Sequence, residues 1–306
     1  MFNESKTEFS TYYYKLANRE VETQVLAKYV QKLPKHMQVL SFPYEYAFEE
    51  NIIRTFGKTM SIWSAEKLSA QDPSETWLNA KRFIRQHPNN EVYLPSTTRG
   101  GHIVPLGRHD PKLSLFNILG GETKMAKVDF SRYSVVQQLH EVPNKFDIID
   151  LDYVRSLDIE NATWNKMAWS RLGNGGILYT TFGISSYRVH SFITRRYTGD
   201  IGEEDTSMYE RDIVSKEPEN KYIDISANVY KTYGITNEDK YPIYNNVLNN
   251  YIDLHKSAFG SVPVYVNVYR GGGKVAGGQH VVMARLVWVK GISMKKPIIA
   301  SGSPGI

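Results

Sequence analysis

The sequence predicts an α/β protein whose mostly parallel sheet ends in an antiparallel strand pair. Two observations carry this expectation. From residue 20 onward, stretches with apolar residues at helical spacing alternate with short apolar runs bounded by Pro, Gly and Asn. Such alternation makes a parallel sheet covered by helices. Near the C-terminus, VPVYVNVYR (262–270) and QHVVMARLVWV (279–289) are two strong strand-like runs joined by GGGKVAGG, which suits an antiparallel hairpin.

The elements follow in order. In EVETQVLAKYVQKL (20–33), Val21, Val25, Leu26, Tyr29, Val30 and Leu33 fall at helical spacing, and Pro34 closes the helix. HMQVLSFP (36–43) is a short apolar run ended by proline and predicts a strand. YEYAFEENIIRTFG (44–57) reads as a helix with a glycine cap. KTMSIWSAE (58–66) is a second strand, and SETWLNAKRFIRQH (74–87) a helix capped by Ser74. Residues 88–123 break the rhythm with Pro, Gly and Asn, and predict a hairpin or loop excursion. The alternation resumes with KMAKVDFS (124–131) as strand, RYSVVQQLHEV (132–142) as helix and KFDIIDLD (145–152) as strand. DIENATWNKMAWSRLGNGG (158–176) is a helix with a glycine-rich stop, ILYTTFG (177–183) a strand and ISSYRVHSFITRRY (184–197) a helix. An acid-rich excursion covers about 200–240, and YPIYNNVLNNYIDLHKSAF (241–259) is helical. The expected organisation is a single domain over residues 1–306, with its core in 36–199 and 257–290.

Composition narrows the function. The chain has 306 residues, 41% hydrophobic and 23% charged, which is enough for a sizeable core. The absence of cysteine excludes disulfides, thiolate metal sites and cysteine nucleophiles. The eight histidines form no H-x-x-x-H or H-E-x-x-H pattern, so no metal site is expected. FGISSY (182–187) lacks the spacing of a serine-nucleophile elbow, and YRGGGKVAGG (269–278) the register of a phosphate loop. MFNESKTEFSTYYYKL at the N-terminus is no signal peptide, and no window approaches the roughly 18 apolar residues of a membrane span. A soluble, cytoplasmic protein is expected. Net charge +5 suits an anionic partner, DNA or RNA among them, and some of the 21 tyrosines would stack on bases if exposed.

One stretch raises a chemical question. FDIIDLDYVRS (146–156) is a buried-type strand carrying Asp150 and Asp152 two residues apart, hence on one face. Like charges so close need a cation, a donor array or water. The carboxyl edge of a parallel sheet is also where open α/β folds bind ligands. Asp152 is therefore placed to accept a proton or hydrogen bond from an amino acceptor, or instead to hold a base edge with Tyr153 stacking on the ring.

This stretch, with LGNGGILYTTFG (172–183), resembles class I S-adenosylmethionine-dependent methyltransferases, whose Rossmann-like sheet has a fourth strand ending in an acidic motif and a reversed final hairpin. DLDYVRS also looks like the D-x-D-P-[FY]-G-S signature of tRNA guanine-N2 dimethyltransferases, with Tyr153 and Arg155 replacing the proline and glycine. The resemblance covers about 36–185 and 262–290. It implies S-adenosylmethionine as cofactor, Asp150, Asp152 and Tyr153 on the acceptor side, and methyl transfer to a nucleic acid. It further implies a cofactor turn at Ser41, Pro43 and Glu45, Glu66 holding the ribose, and Asp129 with Phe130 holding the adenine. The turn departs from the family: VLSFPYEYAFEEN (39–51) contains no glycine. Two alternatives follow, a methyltransferase-like binding module without catalysis and, because D-x-D also binds metal and nucleotide in glycosyltransferases, a nucleotide-sugar transferase.

Overall fold

The computed structural model describes residues 13–43, 45–65, 73–107, 110–129, 138–156, 159–184, 217–274 and 280–300. The expected helix at 184–197, Glu66 and Phe130 lie outside the described residues. In chain order the elements begin with α1 (Tyr13–Val30), β1 (His36–Ser41), α2 (Ala47–Phe56), β2 (Thr59–Ser64), α3 (Pro73–Gln86), β3 (Glu91–Arg99) and β4 (His102–Pro105). They continue with α4 (Leu115–Gly120), β5 (Lys124–Lys127), β6 (Leu139–Glu141), β7 (Phe146–Ser156), α5 (Ile159–Arg171) and β8 (Leu172–Gly183). The last are α6 (Ala227–Thr232), a 3-10 turn (Glu238–Lys240), α7 (Tyr241–Phe259), β9 (Tyr265–Lys274), β10 (His280–Val289) and β11 (Ile298–Ile299). The strands pair in the order β11-β9-β10-β8-β7-β1-β2-β3-β5-β6, with β4 beside β3. β1 runs parallel to β2 and β7, β2 parallel to β3, and β9 antiparallel to β10. The expected α/β class, mostly parallel with an antiparallel C-terminal pair, is what the chain adopts.

The chain divides into two compact units: residues 1–26, 152–166 and 179–306, and residues 27–151 and 167–178. The second unit is built on β1, β2, β3 and the start of β7. Met37, Val39, Leu40, Met60, Ile62, Val92, Leu94, Ile148 and Ile149 are all buried, so both faces of these strands are covered, the normal state of a parallel sheet. Gly57 ends α2 in the left-handed conformation, its N–H donating to the Ile53 carbonyl at 2.9 Å. Gly176 at the start of β8 has no room for a side chain: a Cβ there would stand 2.9 Å from the Gly173 carbonyl and 3.2 Å from that of Asp147.

In the first unit α7 lies over β8 and β10. Phe182 tilts against Tyr251 (ring centroids 4.4 Å apart), and Phe259 meets Trp288 edge-on. Asn165 of α5 ties this layer together. It accepts from the Tyr153 hydroxyl (3.1 Å) and its Nδ2 faces the Tyr251 hydroxyl (2.5 Å) and His255 Nε2 (3.2 Å). His255 Nδ1 lies 2.9 Å from the Tyr251 carbonyl, which can only accept, so Nδ1 carries the proton and Nε2 is the acceptor.

Four expectations are corrected. The third parallel strand is β3, inside the supposed excursion, where β3 and β4 form a hairpin. Lys124–Lys127 pairs antiparallel to β3 rather than parallel. Leu139–Glu141, expected in a helix, is strand β6 against β5. Among the described residues the first helix runs from Tyr13 rather than from Glu20; its inward face there is polar and so invisible to an apolar period.

Candidate functional site

In open α/β folds ligands bind beyond the carboxyl ends of the strands, where the strand order reverses direction. Here that point lies between β1 and β7, whose Val39 and Leu40 pair with Ile148 and Ile149. One residue further along each strand stand Ser41 and Asp150, both buried (2% and 3% exposed). Ser41 Oγ donates at 2.6 Å to Oε1 of Glu49, itself buried in the first turn of α2. The switch point of the second unit is thus lined by carboxylates and a hydroxyl. Pro43 is buried and Glu45 half-buried in the turn that follows.

That turn has no glycine, yet it contains the conformation a glycine would supply. Tyr46, the cap residue of α2, has φ 60 and ψ 17, and among the described residues it alone combines a side chain with positive φ. The cost of such a conformation is of order 1–3 kcal/mol and persists only where packing over-determines it. Here the Tyr46 ring is 2% exposed and stacks on Phe83 of α3, with centroids 4.6 Å apart and planes at 21°. The ring holds what the backbone resists.

Asp129 does not reach this edge. Val128 N donates to the Val92 carbonyl, so Asp129 follows an antiparallel strand toward the amino end of β3, opposite to the expected place. Its assignment to the adenine is withdrawn for that reason.

The first unit holds the remaining candidates. β7 continues through Asp152, and the carboxylate is met by helix α1: Lys15 Nζ lies 2.5 Å from Oδ2 and Arg19 Nη2 3.7 Å. Their side chains are 20% and 10% exposed, and that of Asp152 15%. Burial alone would raise the Asp152 carboxyl pKa, but Lys15, Arg19 and Arg285 outweigh it and hold the group ionised below the usual carboxylate range. Burial lowers the Lys15 pKa, only partly opposed by the attraction of Asp152. Deeper along the helix, Arg285 of β10 forms a two-pronged pair with Glu22 (Nε–Oε2 2.6 Å, Nη2–Oε1 3.3 Å), both side chains nearly inaccessible. The same guanidinium donates to Thr181 Oγ1 at 2.7 Å and lies over the Tyr179 ring at 4.7 Å. Asn18 Oδ1 accepts from the Tyr265 hydroxyl (2.8 Å) and Asn267 (2.5 Å).

Lys15, Asn18, Arg19 and Glu22 therefore form an inward polar stripe at i, i+3, i+4, i+7 on α1. Sequence reasoning missed it. The only available signal was the spacing itself, which an outward, solvated face shares. Tyr153, expected to stack on a substrate ring, turns to the opposite face of β7, is 6% exposed and spends its hydroxyl on Asn165. It is a core residue, and its ring is closed to an acceptor by burial against α5.

The strand order and reversed hairpin give the chain a Rossmann-like sheet with an antiparallel C-terminal pair, the arrangement that the resemblance to S-adenosylmethionine-dependent methyltransferases implies. No protein-family model matches the sequence, and no curated protein matches it. Solved structures do. The plantazolicin methyltransferase BamL, in complex with a triazolic desmethyl analogue and SAH, is 12% identical over 95% of this chain and 92% of its own, with a TM-score of 0.37. An S-adenosylmethionine-dependent methyltransferase from Clostridium acetobutylicum is 12% identical over 91% of this chain and 93% of its own, at 0.34. An O-methyltransferase family protein from Burkholderia thailandensis is 12% identical over 90% of this chain, which spans 59% of that protein, at 0.32. At such scores the fold rests on the chain's own strand order.

Proposed function

We propose that this chain transfers a methyl group from S-adenosylmethionine. The observation that carries the reading is the switch point of the second unit, between β1 and β7, where buried Ser41, Asp150 and Glu49 stand at the carboxyl ends of the strands. The cofactor's sulfonium and ammonium are cationic, and the switch point between β1 and β7 offers buried carboxylates in Asp150 and Glu49, a match of sign. Ser41, Pro43 and Glu45 would flank it in the turn, where Tyr46 takes the backbone course of the missing glycine. When bound, the cofactor supplies the electrophilic methyl; the chain's part is alignment, since methyl transfer depends on geometry more than on acid–base strength.

A nucleic acid as acceptor is supported by net charge +5, but no longer by Tyr153, whose ring is buried. The non-catalytic alternative has one observation in its favour: the Tyr46 ring and the Ser41–Glu49 pair fill the neighbourhood of the turn. The metal-dependent D-x-D reading is disfavoured because Lys15 and Arg19 already neutralise Asp152.

Thermal melting decides among these. S-Adenosylmethionine or S-adenosylhomocysteine at about 100 times its dissociation constant should stabilise the fold by about 2.7 kcal/mol. No shift at millimolar cofactor refutes the proposal. Salt-sensitive binding of single-stranded RNA or DNA alongside a cofactor shift would support the nucleic-acid acceptor, and without that shift the binding module.

A further inference from the structure

We propose that the amino edge of the parallel sheet in the second unit docks the phosphate backbone of a nucleic acid, through charge and without reading sequence. The inference does not rest on methyl transfer, because it concerns the edge opposite the switch point. β1 has six residues, about 20 Å of strand, so this surface would anchor a long anion away from Ser41 and Asp150.

The surface follows from the strand order. β1, β2 and β7 run parallel, so the residues that lead into them share one edge. Lys35 and Lys58 each stand one residue before the paired His36 and Thr59, and Lys145 stands just before β7. Val39 and Leu40 pair with Ile148 and Ile149, and the same register carried three residues back sets His36 beside Lys145. Neighbouring strands lie about 4.8 Å apart, which brings these cations into one row. Helix α1 ends at the same edge, with Lys28 in its last turn and Lys32 just after it.

Little offsets this charge. Between Glu22 and Glu45 the sequence contains no acid, a gap that covers the end of α1 and all of β1. Lys28, Lys32, Lys35 and Lys145 are exposed and Lys58 is half-buried. Among the described residues none of the five pairs with a carboxylate, whereas Lys15, Lys127 and Lys231 each do. Asp147 and Glu91, at the starts of β7 and β3, are engaged by the Gln38 N–H and by Lys127. Lys28 lies over the Tyr29 ring at 4.7 Å, a contact that leaves its charge in place. Lys58 donates to the Gln31 and Leu33 carbonyls (3.3 and 2.7 Å) and Lys145 to that of Ser170 (2.7 Å). The ends of α1 and α5 thus fix two ammonium groups that keep donors to spare.

Two features select the partner. Lysine is a point charge that suits phosphate oxygens without a fork geometry. A lipid surface would require apolar side chains to insert, and here Val30, Leu33 and Met37 are buried.

The test uses the full chain without cofactor and a dye-labelled oligothymidylate of about 20 nucleotides, followed by fluorescence anisotropy between about 50 and 200 mM salt. On a single strand each phosphate contact contributes about −0.7 to the slope of log affinity against log salt. Lys28→Gln, Lys32→Gln and Lys35→Gln together should therefore make the slope shallower by about 2 and cut low-salt affinity at least about tenfold. These three are chosen because, unlike Lys58 and Lys145, they hold no helix end. The corresponding triple arginine variant should keep the slope. Lys221→Gln, Lys295→Gln and Lys296→Gln together remove the same charge from the first unit and should leave the slope unchanged. If the first triple variant fails to fold, Lys32→Gln alone should cost about 0.7 of slope. No binding at about 50 mM salt, a slope indifferent to the three lysines, or an equal loss in the first-unit control overturns the proposal. So does capture of phosphatidylserine vesicles through these lysines in place of the oligonucleotide. Binding that persists while S-adenosylmethionine fails to shift the melt would leave this surface standing and sink the methyl-transfer reading.

Discussion

Tyr46 joins a costly backbone to a buried ring, and the two can be separated by mutation. Replacing a buried aromatic by alanine costs about 3–5 kcal/mol, and Tyr46→Ala keeps the left-handed strain while losing the stack on Phe83. Tyr46→Gly loses the same ring but removes the strain. Glycine, which also suits an N-cap better than alanine, should therefore be the better substitute by at least about 1 kcal/mol. Urea denaturation of the two variants checks the order, and alanine proving equal or better would show that the conformation carries no strain. The residue was conspicuous in the sequence as a bulky side chain in a glycine's place, but its backbone angle depends on a partner in α3, far along the chain.

Helix α1 shows what an element can hide. Its second half is legible from Leu26, Tyr29 and Val30, all buried. Its first half buries Asn18, Arg19 and Glu22 instead, each matched by a group on β7, β9 or β10. Glu22→Gln removes the charge opposite Arg285 and leaves that guanidinium buried at 2% exposure. Breaking one partner from such a pair costs about 3–5 kcal/mol, so the melting temperature should drop sharply. The double variant Glu22→Gln, Arg285→Met should recover much of it, because no buried charge is then left alone. A double variant no better than Glu22→Gln would mean that Arg285 is anchored by Thr181 and Tyr179 rather than by Glu22.

Between pH 7 and 5 the stability of the molecule should depend on pH through the buried His255. Burial lowers the His255 pKa to about 4 from its ordinary 6.5, against a smaller opposing contribution from the Tyr251 carbonyl. The folded chain keeps the ring neutral, whereas the unfolded chain takes up a proton below 6.5. Stability is therefore complete above pH 6.5 and falls as the pH drops toward 4, by about 2 kcal/mol at pH 5. Urea melts at pH 7 and 5 measure this, and His255→Gln should flatten the difference. An unchanged slope in that variant would place the acid sensitivity elsewhere.

The central strands, the long helix α7 and the final hairpin were legible because each is set by local pattern: apolar runs, helical spacing, Pro and Gly at the ends. Asp150 and Asp152 were legible as an electrostatic problem. Pairing direction was not, since Lys124–Lys127 is as good a strand antiparallel as parallel, and only its neighbour β3 decides. Nor was the answer to the carboxylate question, because Lys15 and Asp152 are 137 residues apart. The sequence by itself determined the class of fold and the strand that carries the acidic pair. The tertiary structure alone decided that cations from α1 neutralise Asp152, that Tyr153 is core and that the strand leading to Asp129 runs antiparallel to β3 and carries it to the opposite edge. The physical reason is common to all three: apolar period and turn chemistry are properties of neighbouring residues, whereas the partner of a charge is set by where distant segments meet.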